Sequence, residues 1–136
     1  MSRTLMNFIL VTDVLFMTYW TFASLMLVGL ISIPPEYMYA NYGDARVIAW
    51  NWSFFPLDVL FSIFGFWAVK KARDGDPIWR PLAIVSLVLT MTAGGMAIGY
   101  WMILGEYEPS WFIPNLLLFL WPIFFLPRLI RDTRPA

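Results

Sequence analysis

Cysteine and histidine are both absent from this chain of 136 residues, and charged side chains make up only 13% of it. Without cysteine there is no disulfide framework, no thiol nucleophile and no thiolate metal site. Without histidine the commonest metal ligand and general base is missing. No metal and no cofactor are therefore expected. The nine basic residues are matched by nine acidic ones, so the basic excess that nucleic acid demands is missing too. What the chain has in quantity is apolar: 60% of residues, with a mean hydropathy of +0.69. Soluble domains run at about 45–50% apolar and about 25% charged. That contrast excludes disorder and a soluble bundle, and it points to a membrane protein.

A transmembrane helix needs about 20 mainly apolar residues to cross a hydrocarbon core about 30 Å thick. Four stretches meet that length, at 5–33, 47–69, 82–104 and 110–130. The connections between them are too short for a soluble domain. The expectation is one domain over 1–136, an all-α integral membrane four-helix bundle. The first stretch is too long for the core of a cleaved signal peptide and contains Asp13. No internal repeat is visible, so an inverted-repeat transporter within one chain is not indicated.

Lysine and arginine set the expected orientation. With four spans, Arg3, Lys70, Lys71, Arg73, Arg80, Arg128, Arg131 and Arg134 share one side, and only Arg46 lies on the other. Both termini are expected on the cytoplasmic side. The outer side carries Glu36, Asp44, Glu106 and Glu108. The basic inner loop at 70–81 reads first as a topology signal, with binding to anionic lipid headgroups as the alternative.

The outer loop at 34–46 opens with Pro34 and Pro35, which stop a helix. Tyr37, Tyr39 and Tyr42 follow, then Trp50 and Trp52. These aromatics suit an interfacial belt, or a lid over a pocket mouth. The loop at 105–109 is short enough to make the third and fourth spans antiparallel neighbours. Gly95 and Gly99 form a GxxxG pattern, either an internal contact or a homo-oligomer seam. Pro56 and Pro114 flank polar residues, and kinks there would leave room for a cavity.

Ionisable groups inside spans are costly and mark function. Asp13 and Asp58 are the two present here. Counted at 1.5 Å per residue from the nearest basic residue, Asp13 lies about 15 Å deep, Asp58 about 18 Å, Asn115 about 20 Å, and Thr90 and Thr92 about 15–18 Å. Every span thus places a polar group near one depth, predicting a polar layer. No cation in the spans pairs with either aspartate, so at least one is expected to rest protonated and hydrogen-bonded. Tyr19, Thr12, Ser53, Asn51 and Asn115 are the candidate partners. For Asn115, Thr90 and Thr92 the plainer reading is helix–helix bridging, worth roughly 0.6–2 kcal/mol each.

Thr12-Asp13 with Tyr19-Trp20, the run 33–37, the run 49–54, Pro56-Leu57-Asp58, the run 80–83 and the run 111–115 together resemble the YvaD-type family of small bacterial membrane proteins. The resemblance covers nearly the whole chain. It implies a four-span bacterial protein and no particular activity. A fainter architectural likeness is to the EXPERA fold of emopamil-binding and sigma-2 receptor type. That likeness implies buried acids that receive the amine of a lipophilic ligand, while the absent histidine argues against sterol isomerisation. Small multidrug-resistance pumps share four spans and an acid in the first, but their weak charge bias does not fit the one here.

The leading expectation is a protein that binds a lipophilic, cationic-amphiphilic or lipid ligand, with Asp13, Asp58, Tyr19, Asn51, Trp52 and Asn115 around it. Its other partners would be membrane lipid, and either a second copy through Gly95 and Gly99 or an unknown membrane protein. Three alternatives stand beside it: a small proton-coupled exporter, an accessory subunit of a membrane complex, and an isomerase of sterol- or isoprenoid-type lipids using the two carboxyls. Enzyme activity ranks lower, because no third catalytic group is evident and no catalytic residue is nominated.

Overall fold

The computed structural model describes residues 1–34 and 41–131. Among these every regular element is helical. The order is α1 (Arg3–Leu27), α2 (Ala45–Ser53), α3 (Phe55–Arg73), α4 (Trp79–Leu104), α5 (Pro109–Leu120), a 3-10 turn (Trp121–Phe124) and α6 (Leu126–Arg131). Four helical stretches, Arg3–Leu27, Ala45–Arg73, Trp79–Leu104 and Pro109–Arg131, are long and apolar enough to cross a membrane.

Local chemistry explains where each helix starts and stops. The Ser2 hydroxyl accepts from the Leu5 N–H at the head of α1, satisfying a donor that has no partner within the helix. The first apolar run extends to Ile33, but the helix ends at Leu27. Gly29 takes φ +74°, the Leu30 N–H bonds the Leu25 carbonyl, and the Gly29 N–H bonds that of Met26. This is a Schellman stop, and apolarity does not override it because the left-handed residue turns the chain off the helix axis. Asp44 caps α2 through the Arg46 and Val47 N–H groups.

The second apolar run is broken at Phe54, and Pro56 stands in the first turn of α3 instead of inside a helix. Proline lacks an N–H and disfavours helical geometry in the residue before it, so the chain restarts there. In the fourth run Pro114 lies within α5, while Pro122 opens the 3-10 turn.

The helices α3 and α4 form a central pair. α1 packs on α3, and α5 packs on α4. Rings and close contacts give the α1–α3 register: Asp13 and Ile9 meet Gly65, Phe16 meets Phe61, and Trp20 meets Phe55 and Asp58. At the closest α4–α5 approach is Gly94, where an added Cβ would lie 2.6 Å from the Asn115 carbonyl oxygen and 2.7 Å from the Phe119 nitrogen. Gly95 touches the Phe119 ring, whereas nothing lies within 4 Å of a Cβ at Gly99. The close approach therefore belongs to Gly94, next to the GxxxG pair.

Two apolar clusters fill the interior. One gathers Leu5, Ile9, Ala68, Leu87 and Leu129, the other Trp20, Phe54, Phe61, Ala93 and Ala97. The alternation of helix directions brings Arg3, Lys70, Lys71, Arg73, Arg80, Arg128 and Arg131 to one end and Arg46 to the other. Arg134 lies outside the described residues. Lys70 pairs with Asp74 at 2.8 Å and Lys71 with Asp76 at 2.9 Å across the α3–α4 turn.

Candidate functional site

The walls α1 and α5 face each other without packing backbone to backbone, and the space between them is a cleft of about 720 Å³. Its size follows from its side chains. At the basic end Phe8 stacks on Trp121 with centroids 5.2 Å apart and meets Phe125 at 5.8 Å. At the opposite end Tyr19 meets Trp111 at 6.3 Å. Large rings at both ends hold the helices apart, while Ala93 and Ala97 of α4 make a floor of small side chains. Val11 and Leu15 on α1 and Leu117 on α5 line the cleft and remain 60%, 62% and 58% exposed. The cleft is thus open on its side, along the apolar surface of the bundle.

Asp58 lies at the deep wall, 3% exposed. The break at Phe54 and the restart at Phe55 put it in the first turn of α3. Its Oδ2 accepts a hydrogen bond from Trp20 Nε1 at 2.9 Å, and its buried Oδ1 has no partner. Trp20 is itself wedged between Trp52 and Phe55, with centroids 5.2 and 5.1 Å away.

Four of the five expected partners of the aspartates, Tyr19, Asn51, Ser53 and Asn115, bond elsewhere. Tyr19 donates to Asn51 Oδ1 at 3.0 Å, Ser53 to the Trp50 carbonyl at 2.6 Å, and Asn115 Nδ2 to the Trp111 carbonyl at 2.7 Å. Thr90 and Thr92 donate to carbonyls four residues back in their own helix, and Thr92 faces outward.

Of the expected site residues, Asp58, Tyr19, Asn51 and Asn115 share the cleft. Trp52 lines a second cavity of about 290 Å³ with Tyr42, Phe22 and Met26. Tyr19, Asn51 and Trp111 border both cavities, so the Tyr19–Asn51 bond stands between them. Tyr37 and Tyr39, the rest of the expected aromatic lid, and Glu36 lie outside the described residues.

Asp13 lines neither cavity. It is 1% exposed and presses on Gly65, seven residues along α3 from Asp58. At 1.5 Å per residue that is about 10 Å, so the two carboxyls do not form one layer. The single-depth expectation took each helix's first basic residue as a common edge. The observed register offsets Arg3 from Lys70 by about 7 Å, which long basic side chains absorb by reaching to the interface.

Sequence reasoning missed Trp20 as the donor and Gly65 as the contact. A signal was available: Asp13 and Trp20 are seven apart on α1, as Asp58 and Gly65 are on α3. Seven residues are two turns on one face, so two such pairs run antiparallel can meet acid to partner at both levels.

Among the described residues no cluster of three or more acidic side chains could hold a metal. The cleft offers one carboxyl, polar side chains near it and aromatic faces.

Comparison with known proteins bears on lineage more than on chemistry. The chain is 35% identical over 132 residues to the uncharacterized protein YvaD of Bacillus subtilis (strain 168), covering 97% of this chain and 96% of that one. No solved structure gives a significant match, and the EXPERA likeness finds no support among these matches. Residues 5–136 match the family of unknown function DUF5360, and the chain belongs to that family.

Proposed function

We propose that this chain is a multi-pass protein of the bacterial inner (plasma) membrane, with both termini in the cytoplasm. In this reading it binds a lipophilic, cationic amphiphile or lipid in the α1–α5 cleft. The observation that carries the proposal is a buried acceptor in a side-opening apolar cleft: Asp58 at the deep wall, Val11, Leu15 and Leu117 exposed at the rims. Small-molecule sites commonly enclose about 300–1,000 Å³ and combine apolar walls with few polar groups. A volume of about 720 Å³ suits that class.

The ligand reaches the cleft from the hydrocarbon, between the rims. Its cationic head replaces the countercharge that Asp58 lacks, and the Tyr19, Trp20, Trp50 and Trp111 rings around it add cation–π attraction. Asn51 and Asn115 offer further hydrogen bonds. Seven basic side chains at one end of the bundle, against Arg46 at the other, support the orientation.

The test is thermal stabilisation of the purified protein by long-chain amines. A ligand at about 100 times its Kd stabilises by about 2.7 kcal/mol. Asp58→Asn is expected to weaken binding by about 1.5–3 kcal/mol, as for a charge-assisted hydrogen bond, and so to lose half or more of that stabilisation. Asp13→Asn, outside the cleft, is expected to keep it. Equal stabilisation of wild type and Asp58→Asn would reject the assignment.

A further inference from the structure

Asp13 is one of the most deeply buried side chains in the molecule, and the cleft does not use it. It is 1% exposed, and its Oδ2 has no hydrogen-bond partner. That oxygen lies so near Gly65 that a Cβ there would collide with it, and the same Cβ would come within 2.9 Å of Ile9 Cγ2. Ser62, one turn along α3, is 0% exposed, and its hydroxyl also has no partner.

The charged and titratable groups of the surrounding helices all stand away from this point. On α1 they are Arg3, ten residues off, and Tyr19, bonded to Asn51. On α3 they are Asp58, two turns away and bonded to Trp20, then Lys70, Lys71 and Arg73 at the basic end. On α4 they are Arg80 and Tyr100, near its two ends.

A carboxylate with neither a cation nor a donor is poorly tolerated in a seam this apolar. A metal cation needs room and several oxygens, and the Gly65 contact leaves no room. A proton needs neither. We infer that Asp13 is a proton-binding site separate from the cleft, and that its occupancy holds α1 closed on α3. Loss of the proton leaves an ion against Gly65. Water must then enter the seam to solvate it and to accept the proton, and α1 moves off α3. Because α1 is one wall of the cleft, and its backbone comes close to that of α3 alone among the described helices, this motion changes the cleft width. Ser62 becomes the first donor available to the ionised carboxyl. The inference concerns the helices alone and does not depend on what the cleft binds.

The chain's lack of cysteine permits a direct test. Leu15→Cys and Leu117→Cys place spin labels on the two exposed rims, and their separation is measured in lipid nanodiscs from acidic to strongly alkaline pH. The separation is expected to change by a few ångström on alkalinisation. Asp13→Asn is expected to hold the acidic value throughout, and Asp58→Asn to keep the wild-type response. Gly65→Ala, which forces α1 outward, is expected to give the alkaline value at every pH. A separation independent of pH in the wild type, or an unchanged response in Asp13→Asn, overturns the inference. Should Asp13→Asn not fold, infrared spectra of Asp58→Asn decide. The protonated-carboxyl band is expected to vanish over the same pH range as the change in separation, and a band that persists through that change overturns the inference equally.

Discussion

The two seams of α5 are built on opposite rules. Toward α4 a single missing side chain, at Gly94, lets backbone meet backbone. Toward α1 large side chains recur along both walls: Phe8, Leu15 and Tyr19 on one, Trp111, Leu117 and Trp121 on the other. In a membrane there is little hydrophobic drive to press helices together, so packing between surfaces decides which seams close. The comparison teaches that this cleft is a consequence of side-chain size. Rings meet at its two ends and prop the walls before the backbones can approach.

The largest effect is expected from attacking the closed seam. Gly94→Leu puts a side chain where the Asn115 carbonyl and the Phe119 nitrogen already stand, and backbone atoms cannot move aside as a side chain would. A loss of about 3 kcal/mol, the upper range for overpacking, should appear in detergent unfolding. Gly99→Ala is the control. With nothing within 4 Å of the new Cβ, it is expected to be neutral, or stabilising by at most about 1 kcal/mol through helix propensity. Should Gly99→Leu dissociate an oligomer, the GxxxG pair serves a second copy and not this fold.

A smaller effect is expected at the open seam's deep wall. Trp20→Phe keeps the ring and removes the donor, leaving both Asp58 oxygens without a partner. A loss of about 1–3 kcal/mol is expected for a stranded buried acceptor. In an Asp58→Asn background the same change should have less effect. A double-mutant cycle reads the coupling, and additive losses would show that the bond contributes nothing to holding α1 on α3.

The smallest effect is expected outside both seams. Asp76 is held below the usual carboxylate range, chiefly by its bond from Lys71, then by the Ile78 backbone N–H. A folded-state value below the unfolded one adds stability that is complete above the ordinary carboxylate range and is lost as pH falls through the folded value. Asp76→Asn should flatten this acid-side slope, as followed by unfolding between neutral and acidic pH. This pair is only half-buried, so added salt should weaken it.

The number of apolar helical stretches and the crowding of basic residues at one end were legible in the sequence. Apolar length and the positions of lysine and arginine are local properties, readable without knowing what packs on what. Helix ends were legible only in part. Ile33 is as apolar as Leu27, and the stop lies in the conformation of Gly29. Of the residues placed by depth, Asp58 and Asn115 line the cleft, while Thr90 bonds within its own helix and Thr92 faces outward. Asp13 was grouped with them wrongly, since depth counted along separate helices carries no information on how those helices slide past one another.

The sequence by itself determined four long apolar helices, two acids within them, and a chain without the usual parts of metal or thiol chemistry. Only the tertiary structure decided that Trp20, and not a hydroxyl, meets Asp58. It alone decided that Asp13 presses on Gly65, and that the α1–α5 seam stands open while the α4–α5 seam is shut. The physical reason is register. Each of these outcomes depends on which residues of two helices lie opposite each other, and that offset is set by the fit of whole faces, as between Gly94 and the α5 backbone or Phe16 and Phe61.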